Sequence, residues 1–100
     1  MNPRTLEALR ASIEKWERNA GMTDPDAMRT SIGDCPLCAL FYGPAIVCSG
    51  CPVYARTGLP ACRETPYYEV IDEEAGKHRR IAAAQAEVEF LRSLLPEDEA

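Results

Sequence analysis

One hundred residues with a formal net charge of −5, 46% of them hydrophobic and 27% charged, make one domain with a modest core and are too few for two. Residues 1–33 carry five acidic and five basic side chains, 34–66 two of each and 67–100 nine against four, so a broad basic surface for long DNA or RNA is not indicated. No apolar run approaches the roughly 18 residues of a membrane span, and the opening MNPRTLEALR lacks the apolar stretch of a secretory signal, which makes a cytoplasmic protein without a membrane partner the expectation.

In chain order, the first predicted element is a helix over residues 2–20. Asn2 is placed to cap it, Pro3 suits the first helical position, and Gly21 is expected to close it in a left-handed turn. Leu6, Leu9, Ile13 and Trp16 step by three, four and three, which draws one apolar stripe that must be buried. Asp24 before Pro25 signals a short second start. From Asp34 to Pro66 the spacing of Pro36, Pro44, Pro52, Pro60 and Pro66 with Gly43, Gly50 and Gly58 leaves no regular element of any length. A loop this long inside a small domain needs something else to order it. Thr65 and Pro66 then start a short helix over 66–75, expected to stall near Gly76. The last helix spans 77–95, its stripe Ile81, Ala84, Val88, Leu91 and Leu95 stepping by three and four, with Pro96 as the stop and the basic triplet His78, Arg79 and Arg80 as its exposed start. The acidic tail is expected to be a solvated end.

The chemistry concentrates in residues 35–51, where CPLC and CSGC stand nine residues apart. A Cys-x-x-Cys turn points two sulfurs to one side, and two such turns can enclose one ion in a tetrahedron of thiolates. In a reducing compartment this use of cysteine is expected over disulfides. The metal ligands are therefore Cys35, Cys38, Cys48 and Cys51, with Cys62 as an additional or alternative thiol. Zinc is the expected ion, since structural four-cysteine sites are its habit. An iron–sulfur cluster is the alternative, supported by the Cys51–Pro52 step. A redox dithiol at CPLC lacks the preceding strand that such sites use. His78 reads as a surface histidine. Trp16, Phe41, Tyr42, Tyr54, Tyr67 and Tyr68 are expected to pack around the metal loop rather than stack on bases, because only Arg56 and Arg63 supply positive charge beside the cysteines. No acid–base pair, nucleophile triad or phosphate-binding glycine loop is present, and no enzymatic activity is expected.

The series IEKWERN, CPLC, CSGCPV, RTGLPAC, TPYYEV and EFLRSLL resembles a group of small proteins encoded by tailed phages and prophages over most of the chain. In that group the pattern includes a fifth cysteine placed like Cys62. The resemblance implies a phage accessory protein in the host cytoplasm with four or five cysteines as metal ligands.

The expected molecule is one domain, 1–100, mainly α: two amphipathic terminal helices packed together, antiparallel, with an irregular central Cys-rich metal-binding loop module, 34–66, at one end. Its expected role is a zinc-stapled recognition module for a host or phage macromolecule, with a protein as the partner. An iron–sulfur or redox-sensing protein using Cys62, and a zinc-finger-like binder of single-stranded nucleic acid, are the alternatives. The helix stripes leave a homodimer open.

Overall fold

The computed structural model describes residues 1–30, 35–41, 51–58, 62 and 65–99. Among the described residues the helices are, in chain order, α1 (Pro3–Ala20), α2 (Pro36–Phe41), α3 (Pro52–Thr57), α4 (Tyr67–Val70) and α5 (Lys77–Arg92), with 3-10 turns at Pro25–Ala27 and Glu97–Glu99. Among the described residues there is no strand. The protein is mainly helical, and its two long helices pack on each other.

The ends of α1 follow from its sequence. Asn2 Oδ1 accepts from the amides of Arg4 at 2.8 Å and Thr5 at 3.3 Å, and Pro3 holds the first helical position, where no amide is needed. Gly21 departs from expectation: it stays right-handed at φ −85°, and its amide reaches back to Glu17 and Arg18. Asp24 caps the turn after it by accepting from Asp26 N at 3.0 Å. Asn19, 1% exposed, then binds the returning chain with both halves of its amide, donating to Arg29 O at 2.9 Å and accepting from Arg29 N at 3.0 Å. Segment 22–30 is thus folded back beside α1.

Along their contact α1 and α5 run in opposite directions. Arg80, near the start of α5, pairs with Asp26 beyond the end of α1, Arg92 pairs with Glu17, and Leu95 lines a groove with Arg10 and Ile13. Leu9, Ile13 and Trp16 meet Ala84, Val88 and Leu91 in one core, joined by Met28, Val70 and Leu94. Each of these apolar side chains, fully buried, contributes about 1.5–3 kcal/mol for the larger ones. The buried faces are wider than the stripes and carry polar groups: Thr5, Ser12, Lys15 and Asn19 on α1 and Glu87 on α5.

Several expectations are corrected. The stretch 34–66 contains regular elements after all, since α2 and α3 each begin at the proline that follows a cysteine. Proline breaks a helix in its interior but starts one at the first position, where its missing N–H costs nothing. The cysteine segment shares the core of the long helices, since Leu37, Cys51 and Val53 are core residues and α2 lies against α1. The basic triplet also divides. His78 and Arg79 are exposed, while Arg80 is half-buried and donates from Nε to Val70 O at 2.7 Å, tying α4 to α5. The helix begun near Thr65 stops at Val70, well short of Gly76.

Candidate metal centre

Cys35 and Cys51 hold equivalent places, each directly before a proline-led, six-residue helix. Fixed φ at Pro36 and Pro52 turns the chain into helix at once, and that turn aims the amide of Cys38 back at the sulfur of Cys35, N to Sγ 3.4 Å. An N–H donated to sulfur favours the thiolate over the thiol. A hydrogen bond from the Cys38 side chain is the largest influence on Cys35. Burial opposes it, and the Cys38 amide, the Lys15 ammonium and the Leu37 amide add to it, so that the Cys35 thiol is lowered to about 6. Cys38 is half-buried and Cys51 buried. Cys48 lies outside the described residues, as do Tyr42, Arg63, Pro44, Pro60, Gly43 and Gly50.

Cys62 is half-buried and packs against the same core as Cys35. Its backbone is left-handed at φ 59°, a conformation that costs an L residue roughly 1–2 kcal/mol. Thr65 holds that turn: its hydroxyl donates to Cys62 O at 2.7 Å and its amide to the same oxygen at 3.3 Å. The Thr65 hydroxyl also accepts from Tyr67 N at 3.3 Å, but the helix starts at Tyr67 with Pro66 in the N-cap position, one residue later than the sequence suggests. Burial, then the negative charges of Cys62, Cys38, Tyr68 and Cys35, raise the Tyr67 phenol above the usual range. Its hydroxyl donates to Thr30 O at 2.6 Å, and its ring meets Trp16 and Tyr68 edge-on, at centroid distances of 6.1 and 5.6 Å.

Two charged side chains inside the core were missed by sequence reasoning. Lys15 is 5% exposed and Glu87 3%. Burial, opposed by the Tyr67 amide and Lys15 and assisted by Cys35, raises the Glu87 carboxyl to about 7, and its Oε2 has no hydrogen-bond partner. The available signal was position: Lys15 lies between Ile13 and Trp16, and Glu87 beside Val88.

Of the other sequence candidates, His78 is exposed at the start of α5, remote in sequence from the thiols. Arg56 donates to Ser93 O at 3.0 Å and Ser93 Oγ at 3.4 Å, fastening α3 to the C-terminal cap of α5. Tyr54 and Tyr68 are exposed, while Trp16 is in the core and Phe41 packs on it. Among the described residues, no three His, Cys, Asp or Glu side chains stand together closely enough to hold a metal ion. No helix is long and apolar enough to cross a membrane. No protein-family profile, curated protein or solved structure matches the chain.

Proposed function

We propose that the chain binds one zinc ion through Cys35, Cys38, Cys48 and Cys51 and uses it as a staple, making the central segment a rigid recognition surface for a protein of the host or phage. The observation that carries this reading is the Cys35–Cys38 turn. Its amide-to-sulfur bond and the lowered Cys35 thiol prepare a thiolate ligand before any metal arrives. Cys51 repeats the same Cys-Pro-helix start on the core side. The resemblance to small tailed-phage proteins supports an accessory role over catalysis.

A cluster-binding or redox-sensing role for the five thiols is the second reading, favoured by the left-handed backbone at Cys62. A single-strand interface gains nothing from Arg56, whose guanidinium is engaged with Ser93. The deciding experiment is an absorption spectrum with elemental analysis on protein purified without oxygen. A colourless sample with about one zinc per chain is the expected result. Brown protein containing iron and sulfide would replace zinc with a cluster, and a metal-free sample would overturn both readings.

A further inference from the structure

Cys35 and Cys51 open their helices with the same backbone bond. Cys35 O accepts from Ala39 N at 3.0 Å at the start of α2, and Cys51 O from Ala55 N at 2.9 Å at the start of α3. Their sulfurs differ. That of Cys35 turns over the helix start and accepts from the Cys38 amide at 3.4 Å, the place a capping oxygen fills in other helices, whereas Cys51 makes no side-chain cap bond. The third helical residue differs too, being Cys38 in α2 and Tyr54 in α3.

The cap in α2 therefore carries one thiol to another. Besides its amide, the side chain of Cys38 is hydrogen-bonded to Cys35, and sulfur is the only polar atom in either side chain, so that bond runs from sulfur to sulfur. Both residues are half-buried, which leaves an edge of each open to a small reagent, while Cys51 is buried. The strand that precedes redox dithiols in other folds has no part in this contact, which the Pro36-led start of α2 makes by itself.

We propose that Cys35 and Cys38 are a redox-active pair that closes reversibly to a disulfide by exchange with a small-molecule disulfide of the glutathione type. The inference does not rest on the metal-binding reading, and it requires neither Cys48 nor Cys62. Where a metal occupies the same two sulfurs, metal and disulfide exclude each other. In the exchange, one thiol of the pair gives up its proton and its sulfur attacks the disulfide RSSR. A mixed disulfide forms, and the displaced sulfur leaves with the proton as RSH. The second thiol then attacks the first sulfur, the mixed bond breaks, and a second RSH leaves with the second proton. The pair loses two electrons and two protons, and one RSSR becomes two RSH.

The test is exchange on the full chain, stripped of any bound metal by a chelator, in anaerobic mixtures of oxidised and reduced glutathione. Products are trapped with acid, alkylated and located by fragmentation mass spectrometry. A bridge between Cys35 and Cys38 is expected, with the helical circular dichroism retained. It should form at a ratio of oxidised to reduced glutathione about tenfold or more below that needed for the same pair in urea, because the fold already holds the two sulfurs together. C38S should stop at the mixed disulfide on Cys35.

Glutathione adducts that never resolve in the wild type, a bridge from Cys35 to any other cysteine, or an equal ratio in urea overturns the proposal. Should chelation cost the chain its helical spectrum, the exchange is followed on the zinc-loaded chain instead. There zinc must leave as the Cys35–Cys38 bridge forms, and zinc that stays through full oxidation of the glutathione overturns the proposal. A chain that takes up no zinc yet forms the bridge overturns the metal-binding reading alone. One that binds zinc and, stripped of it, forms no bridge overturns this inference alone.

Discussion

Where α1 meets α5, 18 and 16 residues of helix face one another, with Leu9, Ile13, Trp16, Ala84, Val88 and Leu91 buried between them. Between these helices in sequence, α2 and α3 have six residues each. Isolated helices shorter than about 12–15 residues are marginal in water, and each of these two sends little into the core, Leu37 from one and Val53 from the other. The long pair is thus held by area, and the short pair by anchors: a few apolar side chains and the Arg56 bonds to Ser93. The contrast teaches where a metal would matter. It would contribute little to the α1–α5 contact and most of the stability of the cysteine segment.

The largest expected effect breaks the comparison on the cysteine side. Cys38→Ser and Cys51→Ser should each reduce zinc from about one per chain to a small fraction of that, since structural zinc supplies on the order of 10 kcal/mol of apparent binding energy that depends on its full ligand set. The helical signal of the short segments should fall while that of the long pair remains. Cys38→Ser is the cleaner of the two, because Cys51 also packs in the core. His78→Ala should leave metal and helix content unchanged. Full zinc in either serine variant, measured by elemental analysis, would remove the four-thiolate site.

Next in size is a change on the helix side. Leu9 is 0% exposed, and Leu9→Ala should cost about 3–5 kcal/mol through lost burial and a residual cavity. Because Leu9 belongs to the same core as Leu37 and Val53, the loss should lower the urea midpoint with zinc bound and with zinc removed alike. A cost that vanishes on adding zinc would mean that the metal, rather than the helix pair, carries the fold.

The same contrast runs through what the sequence made legible. The long helices were readable because several signals agreed there: Asn2 and Pro3 at one start, Asp24 and Pro25 at the next turn, and steps of three and four along both stripes. The short helices are not legible in the same way, because Pro36 and Pro52 look like breakers in a segment rich in proline and glycine. Yet Cys35–Pro36 and Cys51–Pro52 have the X-Pro form already recognised as a start at Asn2–Pro3, Asp24–Pro25 and Thr65–Pro66. A cysteine before proline lacks an oxygen to cap with, and that removed the cue. The candidate site divides in the same way. Spacing made Cys35 and Cys38 evident as a pair, but nothing in the sequence reveals that the charges of Cys62, Cys38 and Cys35 reach the Tyr67 phenol. Buried Lys15 and Glu87 were equally hidden, since a charged residue on an amphipathic helix is assigned to solvent unless a partner across the fold is known.

Glu87 allows the helix interface to be tested by pH. An ordinary glutamate titrates near 4.5, whereas burial raises this one to about 7, so the folded state holds the proton more tightly than the unfolded chain does. The resulting stabilisation is fully present below about 4.5 and is lost as the pH rises through about 7. A shift of that size corresponds to an upper bound on the order of 3 kcal/mol, which structural relaxation will reduce. Glu87→Gln keeps the shape of the side chain and removes the titration, so its advantage over the wild type should grow between pH 5 and pH 8. Thiolate protonation and metal release follow pH as well, but they affect both proteins, and the difference between their urea midpoints isolates the carboxyl. If that difference stays constant from pH 5 to 8, the proton is not held by Glu87, and the polar gap in the α1–α5 interface is satisfied in some other way. If it grows, the α1–α5 interface holds an uncharged acid at Glu87, and its one unpartnered carboxyl oxygen carries no charge in the folded protein below about pH 7.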